Sequence, residues 1–190
     1  MRPMNAASTN PTIEHLLAVT ESLVYSGGIC ATGMDLIVTT SGVSRKTIYK
    51  HFGSKDGLIA EALRRRDERW MKWFSENTQQ VSEPKERLLH MFTVMSQWFL
   101  TPGFRGCAFI NAAGEIGDPD DPIRQVAREH KLKLLQFVEQ LVQGYTPKNV
   151  RELAEQLLIL IDGAITLALV VGDTQSAVRA SQIARTLLEK

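Results

Sequence analysis

The sequence predicts an all-α protein of about nine helices, with an N-terminal three-helix unit followed by a larger helical part. Three observations predict it. Apolar residues recur at helical spacing through most of the chain, caps and Gly or Pro stops punctuate it at helix-length intervals, and no stretch alternates polar and apolar residues with β-branched enrichment. The composition is that of a folded globular chain: 190 residues, 44% hydrophobic and 23% charged, with Lys+Arg 22 against Asp+Glu 21 and a formal net charge of +1. Such a balance excludes a globally basic nucleic-acid coat but leaves room for a local basic face.

Taken in order, Met1 to Pro11 has no apolar run of signal-peptide length and reads as a disordered arm. Ile13, Leu16, Leu17, Leu23 and Val24 define a first helix of about residues 12–26, stopped by Gly27-Gly28. Met34, Leu36 and Ile37 suggest a short helix broken at Ser41-Gly42-Val43, after which Ser44 caps a new helix through His51. Ser54 then caps a longer helix with Leu58, Ile59, Ala62, Leu63, Trp70, Trp73 and Phe74 on one face, reaching about Asn77. Ser82 with Pro84 opens the next, which Thr101-Pro102-Gly103 closes. Gly103 to Gly117 reads as a short, apolar, Gly-punctuated stretch. Asp121-Pro122 is a cap with a first-turn proline, and Thr146-Pro147 repeats the signal for a helix running to Val171. Gly172-Asp173-Thr174 turns the chain into a last helix with Ala177, Ala180, Ile183, Ala184 and Leu187.

Chemistry concentrates between Asp35 and Asp56. No acidic residue lies between them, while Arg45, Lys46, Lys50, His51 and Lys55 do. Helix, tight turn and helix within about 18 residues is the layout in which a second helix enters the major groove with its leading side chains at base edges. Arg45 matches the O6 and N7 of guanine, Lys46 a guanine or a phosphate, and Thr47 a thymine methyl or a phosphate. Tyr49, Lys50 and His51 lie along the DNA backbone and set the register. Ser54 and Lys55 open a helix whose free amides also favour phosphate, and Thr32 joins the contact set. The same residues would also suit a solvated basic face on a small bundle.

The segment from Ile37 to Leu58 resembles the DNA-binding signature of the TetR (tetracycline repressor) family of bacterial transcription regulators, carried here by Gly42, Val43, Ser44, Thr47, Tyr49, His51, Phe52, Ser54, Lys55 and Leu58. Val38 and Ser41 stand where that family often has Ala. The close resemblance covers about residues 12–60, and Gly103 to Ile116 resembles the middle of one large TetR subgroup. It implies a homodimer on double-stranded DNA, one recognition helix per half of a palindromic operator, with a small-molecule effector pocket in the C-terminal part. The expected domains are residues 12–58 for DNA binding, a linking helix to about 77, and 59–190 for effector binding and dimerisation.

The run from Leu157 to Val171 is apolar nearly all round, which a small domain hardly covers without a partner. It is 15 residues long, short of the roughly 18–20 of a membrane span. Dimerisation through the last two helices is therefore expected at Leu157, Ile161, Ala164, Ile165, Ala168, Ala177, Ala180, Ile183, Ala184 and Leu187, unless these form the core of a monomer. Trp70, Trp73, Phe74, Met91, Met95, Trp98, Cys107, Phe109 and Phe137 are the candidate pocket residues; such a stripe serves packing as readily as an apolar effector. Cys30 and Cys107 are too far apart for a zinc knuckle or CxxC pair and suit a reducing cytosol as two buried thiols. Neither metal, cofactor nor membrane is expected, and the location read is cytoplasmic. Gly-rich phosphate loop, GxSxG, HExxH and Cys/His cluster are all missing from the sequence, so an enzyme is not expected. Two alternatives remain: a helical enzyme or binding protein that uses the helix-turn-helix only for packing, and a DNA-binding regulator with Cys107 as a thiol sensor.

Overall fold

The computed structural model describes residues 10–189, so all but the last two positions of the expected N-terminal arm lie outside the described residues. Among the described residues the chain forms nine helices and no strands: α1 (Pro11–Gly27), α2 (Met34–Ser41), α3 (Arg45–Phe52), α4 (Lys55–Thr78), α5 (Pro84–Phe99), α6 (Ala108–Glu115), α7 (Pro122–Tyr145), α8 (Val150–Val170) and α9 (Ser176–Leu188). The all-α expectation is met.

Local signals place most of these boundaries. The Asn10 side chain accepts from the Thr12 amide at 3.0 Å and Pro11 supplies the first turn, so the last two residues of the supposed arm start α1 instead. Asp121 caps α7 as expected, its carboxylate accepting from the Ile123 amide at 2.7 Å. Three boundaries differ from expectation. Glu83, not Ser82, caps α5, because its two carboxylate oxygens reach both the Lys85 and Glu86 amides at 3.1 and 2.6 Å. Thr146 ends α7, and α8 starts after Asn149, which holds a left-handed φ of 50°. The stretch from Gly103 to Gly117 contains α6, whose eight residues offer too little periodicity to delimit from sequence.

Buried residues separate into two clusters. Leu16, Leu17, Met34, Ile37, Val43, Ile48, Leu58 and Ala62 close the N-terminal one. The larger cluster takes Ile59, Ala60, Leu63 and Phe74 from α4 and adds the inner faces of α5 to α9. Helix α4 thus enters both cores, which makes it a stiff connection between them. In the C-terminal part α5 packs on α4, α7 and α9, and α8 lies against α7 and α9.

Helix α8 is longer than the apolar run within it. The apolar run begins seven residues inside a 21-residue helix that is long and apolar enough to cross a membrane by length and composition, with a mean hydropathy of 1.9. Its inner face is taken up by Ala154, Leu157, Ile161, Ala164, Ile165 and Ala168.

Candidate nucleic-acid interface and effector region

The turn between α2 and α3 requires Gly42, whose φ of 68° lies in the left-handed region that a side chain disfavours. Ser44 then caps α3: its hydroxyl accepts from the Thr47 amide at 3.2 Å and lies 3.0 Å from the Thr47 hydroxyl. Ile48 is fully buried and pins α3 to the small core, which turns the opposite face outward. That face carries Arg45, Lys46, Tyr49, Lys50 and His51, all exposed, with Thr47 half-buried at its edge.

Two of the basic residues have partners. Arg45 pairs with Asp35 of α2 on the open surface, an interaction weak enough to be exchanged for another acceptor. The Lys55 ammonium donates to the Thr32 carbonyl at 3.4 Å, and Ser54 caps α4 by accepting from the Gly57 amide at 2.9 Å. Gly57 permits this tight entry, since a Cβ there would meet the Phe52 carbonyl oxygen at 2.3 Å. Thr32 departs from expectation. It is 1% exposed and its hydroxyl donates to the Gly28 carbonyl at 2.6 Å, so the side chain ties the α1–α2 connection together instead of facing outward.

A polar junction joins the two parts. The Tyr25 hydroxyl donates to the Gly106 carbonyl at 3.0 Å and accepts from the Arg105 amide at 2.9 Å, while the Arg66 guanidinium lies over the Tyr25 ring. Arg66 and Arg69 both reach Glu21, and Arg65 reaches Glu14. At the other end of α6 the Glu115 carboxylate accepts from the Ile29 and Cys30 amides at 3.0 and 2.8 Å. Burial pushes the Glu115 carboxyl up, but these two amides and Lys55 outweigh it and hold it below its ordinary value.

The candidate pocket residues divide. Phe74, Met91 and Met95 are completely buried and Phe137 nearly so; they are core. Trp73 lies at the edge of that core, tilted against Trp70 at 6.2 Å between rings. Trp70, Trp98, Cys107 and Phe109 do come together, with Arg66 and His130, around a narrow void. The rings are packed tightly there: Trp70 and Trp98 meet edge-on at 5.5 Å, and Phe109 stacks on His130 at 3.8 Å.

His130 is 1% exposed, and its Nδ1 lies 2.7 Å from the carboxylate of Asp67, itself 2% exposed. The other oxygen of Asp67 accepts from Lys133 at 2.5 Å. Burial pushes the Asp67 carboxyl up, yet His130 and Lys133 together hold it below its ordinary range. Burial pulls the imidazole down, and its bonds to Asp67 and Cys107 overcome that and raise it. For Cys107, burial pushes the thiol up, while His130 and Lys131 bring it below its ordinary value. The chemical consequence is a thiol biased toward thiolate but shut inside the core. Cys30, expected to be buried, is exposed at the α1–α2 connection. No group of three His, Cys, Asp or Glu side chains suited to a metal ion occurs among the described residues.

The chain matches two family descriptions: bacterial regulatory proteins, tetR family, over residues 16–62, and tetracyclin repressor-like, C-terminal domain, over residues 84–184. The second alone spans more than half of the sequence. This chain belongs to the TetR family. Among curated relatives, the HTH-type transcriptional regulator LmrA of Bacillus subtilis is 24% identical over 181 residues, covering 93% of this chain and 96% of LmrA. The HTH-type transcriptional regulator YjdC of Escherichia coli is 22% identical over 178 residues, covering 92% of each. The crystal structure of SCO4454, a TetR-family regulator from Streptomyces coelicolor, superposes with a TM-score of 0.84 at 25% identity over 94% of each chain. The reduced form of NemR from E. coli shares the fold, with a TM-score of 0.84 at 20% identity over 93% of this chain and 96% of NemR. The protein is therefore a DNA-binding transcriptional regulator.

In this TetR regulator the expected dimer residues are mostly spent inside the subunit. Leu157, Ile161, Ala164, Ile165, Ala168, Ala177, Ala180 and Ala184 are all buried by packing within one chain. Leu187 is half-buried, and Ile183, 52% exposed, is the one that remains open. The apolar surface left over includes a different stripe, Ile159, Leu167 and Val170 of α8 and Val171 just after it, with Ile183 of α9.

Proposed function

We propose that this TetR-family protein is a repressor that binds a palindromic operator as a homodimer and is released by a small lipophilic or aromatic effector. Residues 12–58 serve as the DNA-binding domain, residues 59–190 bind effector and dimerise, and α4 links them. The observation that carries the reading is the outward face of α3, where Lys46, Tyr49, Lys50 and His51 stand exposed on a helix fixed from behind by Ile48. Lys46 and Arg45 reach base edges, Tyr49, Lys50 and His51 hold phosphates, and the Lys55 end of α4 adds a further phosphate contact.

The uncovered stripe of α8 and α9 supports the dimer. Ile159, Gly163, Leu167 and Val170 recur along one side of α8, and Gly163 leaves room for close helix approach. Two copies joined there present two recognition helices, and an effector that binds one spacing of those heads better than the other shifts the population away from the operator.

Selection of binding sites from genomic DNA, followed by anisotropy titration at two salt concentrations, tests this directly. A pseudo-palindrome with steep salt dependence is expected. Tyr49→Ala and Lys46→Ala should each weaken operator binding by about 1–3 kcal/mol with an unchanged melting temperature, because both side chains are exposed. Sequence-blind binding, or variants that bind as tightly as the parent, would reject the assignment.

A further inference from the structure

We propose that the groove between α6 and α7 is an effector site for a small carboxylate with an aromatic or aliphatic body. The inference rests on the ligand-responsive reading above and specifies its chemistry. The groove encloses a cavity of about 350 Å³, inside the roughly 300–1,000 Å³ of small-molecule sites. Its floor is apolar: Phe109, Ile110 and Ala113 from α6 face Ala127 of α7. Along its rim stand Arg124, Arg128 and Lys131, which helical spacing puts on one side of α7.

The three cations are not equivalent. The Lys131 ammonium lies 2.5 Å from the Asp162 carboxylate and is neutralised by it. Arg124 donates to the Ala113 carbonyl at 2.9 Å, a neutral acceptor that leaves its charge uncompensated. Arg128 is exposed and has no carboxylate partner among the described residues. Of the nearby acids, Asp118 accepts from the Asp120 amide at 2.9 Å and Asp121 caps α7, and neither these two nor Asp120 pairs with Arg124 or Arg128 among the described residues. Two uncompensated guanidiniums above an apolar floor complement a flat or extended apolar body with one carboxylate head, which arginine binds through a paired fork. In the larger cleft of about 630 Å³ lined by α1, α4 and residues 103–105, Arg65, Arg66 and Arg69 already carry Glu14 and Glu21, which leaves Arg105 as a single cation without a carboxylate partner among the described residues, where the α6–α7 groove has two.

The groove is also connected to the DNA-binding part. Helix α6 is held at its leading end through Gly106 and Tyr25, and at its trailing end through Glu115 and the Ile29 and Cys30 amides. A carboxylate that draws Arg124 away from the Ala113 carbonyl loosens the turn that carries Glu115. Occupancy of the groove is thereby read out at the α1–α2 connection.

Calorimetric titration of the full chain with 2-naphthoate, and with its neutral counterpart 2-naphthalenemethanol, tests the site. One 2-naphthoate per chain is expected, weakened about tenfold by Arg128→Gln and abolished by Ile110→Trp, which fills the floor. The alcohol should bind weakly and ignore the Arg128 substitution. Absence of 2-naphthoate binding, equal binding by Arg128→Gln, or equal binding of the alcohol overturns the proposal. A screen for operator release keeps the two readings apart. Release by neutral compounds with no dependence on Arg128 rejects this site and keeps the ligand-responsive repressor; Arg128-dependent binding of 2-naphthoate without release from the operator by any compound keeps the site and rejects that repressor.

Discussion

The N-terminal core closes over eight residues drawn from positions 16–62, all apolar and held by caps and tight turns. The C-terminal core draws on α4 through α9, with Val24 of α1 and Ile29 after it, and encloses an aspartate, a histidine and a thiol as well as its apolar side chains. The first is assembled by local rules. The second depends on partners far apart in the chain: Asp67 and His130 are separated by 63 positions, and Asp67 and Lys133 by 66. Local cores tolerate loss in small steps, whereas a buried charged cluster fails when any member leaves its partner alone.

The largest expected effect tests that contrast at the charged cluster. Asp67→Ala leaves a buried imidazole without its acceptor and should cost about 3–5 kcal/mol of stability, measured by urea unfolding. Trp70, Trp73 and Trp98 all lie in the C-terminal part, so tryptophan fluorescence reports this core selectively. Its pH dependence has a fixed sign. The Asp67 carboxyl is held below its ordinary value of 3.8, so its contribution is complete above 3.8 and falls as pH drops through the lowered value. The His130 imidazole is raised above 6.5, so its contribution is complete below 6.5 and falls as pH rises through the raised value. Stability from the pair therefore peaks between those limits in the parent and flattens in Asp67→Ala; an unchanged pH profile would remove the charged pair from the argument.

A smaller loss is expected where the N-terminal unit is tightest. A Cβ at Gly57 meets the Phe52 carbonyl oxygen at 2.3 Å, so Gly57→Ala should destabilise by about 1–3 kcal/mol. Amide exchange should show the loss in α2 and α3 with little change near the tryptophans. If both cores loosen together, α4 couples them more strongly than their separate clusters imply.

Ser44→Ala is the mildest test. Removing the hydroxyl that accepts from the Thr47 amide should cost about 1 kcal/mol. It should also fray the leading turn of α3, so operator affinity falls alongside stability, unlike the exposed Tyr49→Ala. A Ser44 variant with normal exchange protection in α3 would show that Ile48 alone holds the recognition helix.

These contrasts also explain what could be read in advance. Ser44, Ser54 and Asp121 act on amides two or three positions away, and Gly42 acts on its own backbone, so their roles follow from neighbours in the chain. The burial of Thr32, whose hydroxyl turns back to the Gly28 carbonyl, depends on how the α1–α2 connection packs. The burial of the expected dimer residues has a related reason. A uniformly apolar helix does not state which side its own chain will cover, and here the covered side took Leu157, Ile161 and Ala164 and left Ile159, Leu167 and Val170.

By itself the sequence determined the all-α class, the helix-turn-helix and the outward basic face of α3, because helix periodicity, capping and turn chemistry operate within a few residues. Only the tertiary structure decided that Cys107 would lie beside His130, that Glu115 would reach the Ile29 and Cys30 amides, and that Arg124 and Arg128 would stand over an apolar groove. Those arrangements depend on which helix faces meet, and that choice is made by the packing of the whole core rather than by any one segment.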